Sequence, residues 1–463
     1  MGIKLMIPTT LESYRLLHDG ALALADIEAH GMRIDVGYLN ASIKSLVCLI
    51  EKGTQKLRES QFFQTWRQTH GMKTNIGSRV QLADVLFRVM GHPCPAKTPT
   101  GKSKGDEEAL RTVDTPFVKN YLRVEKWKKM KNTYLEGIKR EVVDGFLHPF
   151  FNLHTVKTYR SSSDSPNFQN IPVRDPEMGA LIRRCFLPRE GHVLIEMDYS
   201  GIEVRIAACY HKDPAMLAYI QDPDRDMHRD MAAECFLCSP GEVSKETRYY
   251  GKNQFVFPEF YGSYYLQCAP NLWQTMEKLY VGNTPMREWV ASKGIKSLGS
   301  LDPKVKSRKG TYVHHIKQVE ENFWGNRFPV YAKWKKNWFA QYQKTGGFTM
   351  LTGFCEQGVL SRNDAINHPV QGAAFHCLLW SLIKINEFLR KTKKKSLIIG
   401  QIHDSIVADV HVDELDEYLV VARRIMTIEI REAWPWIILP LEVEAEACRL
   451  GETWADKKEI EIP

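Results

Sequence analysis

Apolar positions along this chain follow two rhythms. Between Tyr38 and Leu57, the residues Leu39, Ile43, Leu46, Val47 and Ile50 recur every three or four places, the spacing of one helix face. The same rhythm predicts helices from Ala21 (interrupted at His30-Gly31), over Asn75–Met90 with Ser78 at its start, and over Val118–Val143. It returns at Trp324–Tyr342, closed by Gly346-Gly347, and then at 362–389 and 412–432. Ser239-Pro240-Gly241-Glu242 reads as a capped start for the helix bearing Arg248 and Lys252, which Pro258 should end or kink. The second rhythm is the short unbroken run. Val193-Leu194-Ile195 suits a buried strand, followed by Asp198, a Tyr199-Ser200-Gly201 turn and a helix over Ile202–Tyr210. Two apolar runs within 396–410 flank His403-Asp404-Ser405, a hairpin signal, and Leu441–Ala447 reads as a further strand. Residues 1–20 read as a lead-in. The stretch 148–175 is too polar and turn-rich for a core, so it is either a plain surface loop or the lining of a ligand site. Residues 265–312 lack long periodicity and read as an irregular insertion.

Composition changes this picture little. With 463 residues, 43% hydrophobic and 25% charged, the chain has apolar mass for roughly three domains. A net charge of +8 permits a polyanionic partner without demanding one. Ten scattered cysteines without a secretory pattern point to a reducing compartment, and no run approaches the ~20 apolar residues of a membrane span. A soluble cytoplasmic protein is expected, in a bacterial host cell if the chain is viral.

Four features carry candidate chemistry. Asp198 ends a strand, where a carboxylate either caps the next helix or offers oxygen to a hard cation such as Mg²⁺. Lys126, Lys128, Lys129 and Lys131, interleaved with Trp127, Asn132, Thr133 and Tyr134, form either a solvated face or a phosphate-binding one. Arg248 and Lys252, four apart, share one helix face that suits either solvent or a triphosphate. The basic loop 93–108 carries Lys97, Lys102 and Lys104. Asp222 to Asp226 has calcium-loop spacing at its start but lacks the later glycine and glutamate, and is rejected as a calcium site. Cys235 and Cys238 read as buried thiols, and His314-His315 lacks partners at ligand spacing.

Taken in order, five segments resemble the motifs of family A DNA polymerases, the bacterial polymerase I type. TYRSSSDSPNFQNIP at 158–172 is similar to the family's TxRLSSxxPNLQNIP, and DYSGIEVR at 198–205 to DYSQIELR. Arg248, Lys252, Phe257 and Tyr261-Gly262 resemble the fingers-helix motif, Asn367-His-Pro-Val-Gln371-Gly372 resembles NxPxQG, and His403-Asp404-Ser405 resembles HDE. The resemblance covers nearly the whole chain from about Ala21 and suggests a phage-like variant without a proofreading exonuclease. It implies an α+β right-hand fold: a helical thumb (1–145), an antiparallel-sheet palm (146–212 and 346–463) and helical fingers (213–345), with the insertion at about 265–312. It implies a template-directed DNA polymerase that extends a primer 3′-hydroxyl with deoxynucleoside triphosphates and releases pyrophosphate, using two Mg²⁺ ions.

The resemblance also implies residue roles. Asp198, Asp404 and the Tyr199 carbonyl would hold the metals. Arg248, Lys252 and His228 would hold the triphosphate, with Lys252 also protonating pyrophosphate. Glu203 would select deoxyribose, Phe257 would pack near the sugar and Tyr261 would cover the base. Arg160, Gln169, Asn170, Arg174, Asn367, Gln371 and His403 would hold the primer–template minor groove and primer end. Lys128, Lys129 and Lys131 would meet the DNA backbone. Expected partners are primer–template DNA and deoxynucleotides, with a separate exonuclease or other replisome subunit possible and no membrane.

Several places depart from the family pattern. Lys252 to Phe257 is one residue longer than the family spacing, so strict register would put Val256 and Phe260 in the aromatic places. Gly201 stands for glutamine, Ser405 for glutamate, and Asn363 for arginine, with Arg362 adjacent. Two alternatives stay open: a single-subunit phage-type RNA polymerase, which shares the palm and can carry His-Asp-Ser, and a non-catalytic DNA-binding subunit with the same fold.

Overall fold

The computed structural model describes residues 7–463 apart from 96, 99, 173 and 174. Its centre is a five-stranded antiparallel sheet in the order Leu397–Ile402, Ser405–His411, His192–Tyr199, Val443–Ala447, Lys458–Ile460. The run Val193-Leu194-Ile195 becomes the buried part of the middle strand. Towards its far end the strand shows water on one face only: Met197 and Tyr199 are buried while Glu196 and Asp198 look outward. The 30-residue helix Arg362–Lys391 is buried along much of its length. Tyr199 ties the sheet to it, its phenol lying 2.9 Å from Ser381 Oγ and donating to Met426 O at 2.8 Å. On the hairpin strand, Gly400 lets the Phe168 ring lie against the sheet, since a Cβ there would stand 2.7 Å from a ring carbon. The polar 148–175 stretch is thereby anchored through one aromatic.

The lead-in is a helix. Thr10–His30 starts at a Thr9/Glu12 capping box, well before Ala21, and packs on the palm through Gly20 against Leu379 and through Asp26 with Asn386 and Arg390. The thumb is built on Val36–Arg58 and a long helical rod from Pro116 to Glu141. Its outer part has its own core around Trp66, Leu82, Leu86 and Tyr121. Ser78 does cap a helix, Arg79–Ala83, which runs on as a π segment to Val89.

The fingers contain Met227–Phe236, the helix from Lys245 to Phe260, Tyr265–Thr275, Tyr312–Asn322 and Pro329–Thr345. Two expectations change here. Residues 265–292 are regular: Tyr265–Thr275 is helical, Tyr280–Val281 and Thr284–Pro285 form a hairpin, and Met286–Ser292 is helical. Only the stretch from 293 to 311 lacks a helix or strand. Pro258 does not end its helix. A π segment over Lys252–Val256 precedes it and relieves the clash a proline makes with the carbonyl four residues back, so the helix continues to Phe260. Among the described residues no helix is long and apolar enough to cross a membrane.

Candidate active site

Sheet register brings the two distant aspartates together. Ser405 is the direct cross-strand partner of Asp198, and the Tyr199 N–H donates to Asp404 O at 3.2 Å. Ile402 pairs with Ser405, so His403-Asp404 is a two-residue hairpin turn. His403 adopts φ +49, a conformation that favours glycine, and Gln401 Nε2 holds its carbonyl at 2.6 Å. Ser405 Oγ lies 3.0 Å from both Ile402 O and Glu196 Oε1. The other oxygen of Glu196 faces Lys457 and the Trp454 indole.

The tip of Asp198 reaches solvent, yet the cleft floor withholds enough water to push its pKa up to about 7. Burial leads, followed by the charges of Asp404, Glu196 and Glu444. Asp404 is raised to about 6, chiefly by burial, against the opposing pull of Arg160, whose Nη2 stands 3.6 Å away. Two carboxylates that resist ionising together call for a cation. No group of three or more His, Cys, Asp or Glu side chains suited to a metal occurs among the described residues. Asp198, Asp404 and a backbone oxygen offer the oxygen donors that would suit Mg²⁺ completed by substrate phosphates and water. The Tyr199 phenol is committed to the core, so Tyr199 could serve that task only through its backbone carbonyl.

Facing the aspartates is the fingers helix. Arg248 pairs through Nε with Asp226 Oδ2 at 2.5 Å. Asp226 also caps Met227–Phe236 by accepting from the Arg229 N–H. Sequence reasoning passed over this residue, noting it only as part of a rejected calcium pattern; its signal was an aspartate directly before a helical run. Lys252 has no carboxylate partner among the described residues. Its ammonium lies 5.0 Å above the Phe257 ring, and burial, aided by Arg248, lowers its pKa. His228 stands edge-on to Phe257 at 5.7 Å with its Nδ1 buried and unpartnered. Burial and the two cations lower His228 to about 4, so it is neutral at pH 7.

A cleft of about 180 Å³ gathers Gly201, Glu203, Phe257, Phe260, Tyr261 and Asp404. Tyr261 donates its hydroxyl to Glu203, which also accepts from Arg160 Nη1 at 3.2 Å. Val256 is fully buried in the fingers core, while Phe257 and Tyr261 border the cleft. The π segment accounts for this. It takes up the extra residue between Lys252 and Phe257, and Phe257 and Tyr261 stay directed at the cleft. Phe260 forms the inner wall, packed on Phe323 and Tyr331. Gly262, at φ +93, allows Asn363 to approach where a Cβ would stand 2.3 Å from Asn363 Oδ1.

The sequence-derived DNA contacts divide. A wide cleft of about 1190 Å³ between thumb and palm is lined by Lys128, Lys129, Gln169, Asn170 and His403. Lys131 is absent from that lining and pairs with Glu136 at 3.6 Å. Lys126 is held by Asp175 and Glu177, and Lys128 by Glu125. Lys129 is exposed and has no carboxylate partner among the described residues. Arg79, Arg111, Lys119 and Arg123 also line this cleft, though nothing in the sequence pattern singled them out. Asn367 and Gln371 border the smaller cleft instead, with Asn367 Nδ2 donating to Tyr261 O at 3.2 Å, and Arg160 bridges Glu203 and Asp404. Arg174 lies outside the described residues. Gln401 went unnoticed in the sequence: buried within an apolar strand, it accepts from Ser161 and Gln169 at 2.6 Å each. A lone amide inside Leu-Ile-Ile-Gly-Gln-Ile was its signal.

Thumb, palm and fingers around paired aspartates define a right-hand polymerase architecture. The sequence model of DNA polymerase family A matches residues 49–278 and 349–456, and the chain belongs to that family. It is 30% identical over 449 residues to the thermostable DNA polymerase I of Thermus thermophilus, covering 94% of this chain and 47% of that protein. It is 28% identical over 378 residues to the DNA polymerase of Bacillus phage SP01, covering 77% and 37%. The chain thus spans about half the length of the Thermus relatives or less. The fold matches the POL domain of Pol1 from M. smegmatis, solved in complex with DNA primer-template and dNTP, with a TM-score of 0.74. Identity there is 24%, over 95% of this chain and 70% of that one.

Proposed function

We propose that this chain is a DNA-directed DNA polymerase, extending a primer 3′-hydroxyl with deoxynucleoside triphosphates. The observation that carries the reading is the pairing of Ser405 with Asp198, which sets Asp404 beside Asp198 at one end of the sheet. Family membership, relatives that bear the name DNA polymerase I, and a structural neighbour bound to primer-template and dNTP support it.

Asp198, Asp404 and the Tyr199 carbonyl would hold two Mg²⁺ ions. Bound there, the ions would supply Lewis acidity that lowers the pKa of the primer hydroxyl and offsets triphosphate charge. The primer oxygen forms a bond to the α-phosphorus as the bond to pyrophosphate breaks. Arg248, Lys252 and neutral His228 grip the phosphates, and positioning of this kind supplies most of the rate. Lys252, its pKa lowered by burial, gives a proton to the departing pyrophosphate. Glu203, held by Tyr261 and Arg160, walls off the sugar on its 2′ side and favours deoxyribose. Phe257 packs near the sugar, and Tyr261 covers the base. Gln169, Asn170, His403, Lys128 and Lys129 hold the primer–template.

Gel-resolved primer extension on a defined template tests this. Wild type should add deoxynucleotides in template order with Mg²⁺, while Asp198→Asn and Asp404→Asn should bind DNA and add none. Preferred ribonucleotide addition would favour the RNA polymerase reading. Binding without any addition by wild type would leave a DNA-binding subunit.

A further inference from the structure

Charge is unevenly distributed in this chain. The stretch that the family A model leaves unmatched, 279–348, holds 13 Lys and Arg against 4 Asp and Glu, a net of +9. The whole chain carries +8, so everything else together is close to neutral. The surplus is densest at 293–309, where Lys293, Lys296, Lys304, Lys306, Arg308 and Lys309 meet a single acid, Asp302. All six are exposed. Lys304, Lys306, Arg308 and Lys309 have no carboxylate partner among the described residues.

These cations are presented by an anchored loop rather than a loose tail. Ile295 is buried, and the N–H groups of Tyr312 and Val313 donate to Ser297 O and Leu298 O at 2.9 Å each. Ser307 Oγ lies 3.1 Å from His314 Nδ1. The helix that follows, Tyr312–Asn322, is fixed to the fingers through the Tyr312 hydroxyl on Cys235 O and through His315 on Glu234 O. Fixing so many like charges on one loop costs self-repulsion, which a polyanion would relieve.

The duplex already has the thumb–palm cleft, and a nucleotide's phosphates already have Arg248 and Lys252. A template being copied also continues, unpaired, beyond the base in the active site, and the fingers wall that site through Phe257, Phe260 and Tyr261. Exposed Tyr264 and Tyr280 on the same subdomain add ring faces on which unpaired bases can stack. We propose that the fingers loop 293–309 is an electrostatic track for the single-stranded template ahead of the primer terminus. The proposal rests on the reading of the chain as a templated polymerase.

The test replaces Lys304, Lys306, Arg308 and Lys309 together with alanine. Binding is followed by fluorescence anisotropy across a salt series, on primer–templates with a very short overhang or one of about 15 nucleotides, near the upper end of single-strand site sizes. Wild type should bind the long overhang about tenfold more tightly, with a salt slope steeper by roughly 3, as four single-strand phosphate contacts require. The variant should lose that increment while keeping wild-type affinity and extension on the short overhang. An undiminished increment in the variant, or equal loss on both substrates, would overturn the proposal. So would polyglutamate that displaces the long overhang as well as oligothymidylate of equal charge does, since the surface would then suit an acidic polypeptide. The two readings fail separately. A wild-type chain that extends primers but gains nothing from the overhang refutes the track alone. One that binds the overhang through these residues but adds no nucleotide refutes the polymerase alone.

Discussion

Asp198 and Asp404 show how neighbours decide what a carboxylate does. Raised to about 7 and about 6, they bind protons in the folded chain that the unfolded chain has already released. Each therefore withdraws stability as pH climbs from about 4, the ordinary carboxylate value, to the raised one. In chelator, Asp198→Asn should melt near wild type at pH 4 and above it at pH 8, and added Mg²⁺ should narrow the gap at pH 8 by binding wild type. Melting curves across this range check the sign, and an Asn variant that gains nothing by pH 8 would refute it. Glu196 acts one step back. Its bond to Ser405 steadies the turn that presents Asp404, where His403 already holds an unfavourable φ. Glu196→Ala should raise the Mg²⁺ concentration for half-maximal extension about tenfold, as loss of a supporting partner does at metal sites, with DNA affinity unchanged. Ser405→Ala should do the same, and the double variant should be no worse than either single one. Full additivity would mean the two residues act separately. The strand-end and turn positions of the aspartates were legible from the apolar runs around them, and their metal role was only implied by the family resemblance. Glu196 and Gln401 were not legible, because their roles exist only across a strand pairing that sequence order does not display.

Elements were legible where their periodicity was long or their ends were strong. The strand–turn–helix at 192–211 and the hairpin around His403-Asp404 follow from short apolar runs meeting polar turns. Residues 265–292 were missed because each piece is too short for periodicity to accumulate, and Pro270 sits inside a helix. A local signal was nevertheless present. Gly282-Asn283 between Val281 and Thr284 is a two-residue hairpin loop, with Gly282 at φ +56. Thr9-x-x-Glu12 similarly announced the first helix. The fingers helix permits a sharper test. If the π segment merely absorbs one surplus residue, deleting Gln254 should return it to α spacing and leave Arg248, Lys252, Phe257 and Tyr261 in their present places relative to the palm. Extension should then stay within about tenfold of wild type. Deleting Tyr250 shifts Arg248 by about 100° relative to Lys252 and should abolish extension. Primer extension by both deletions, with circular dichroism as a check on folding, decides. Equal loss in both would mean that the π segment itself is required.

At the scale of the whole molecule, the thumb rod and the palm face each other across the wide cleft, and placement there separates lysines that the sequence treats alike. Lys128, Lys129 and Lys131 sit within four residues, and a helical charge run carries no mark of which member meets a ligand. Lys131 lies about 200° round the helix from Lys129, so it leaves the cleft lining, which continues through Asn132, Thr133 and Tyr134, and it turns to Glu136. Lys129 remains exposed in the cleft without a carboxylate partner among the described residues, and Lys128 is shared with Glu125. Each lysine that neutralises a duplex phosphate contributes about 0.9 to the slope of log affinity against log salt. Lys129→Ala should lower that slope by roughly 0.9 and weaken primer–template binding regardless of sequence. Lys128→Ala should lower it by less, because Glu125 already draws on that charge. Lys131→Ala should leave the slope unchanged. Anisotropy titrations over a salt series measure all three, and a slope that falls equally for Lys129→Ala and Lys131→Ala would show that DNA follows the rod's whole charged face rather than the cleft.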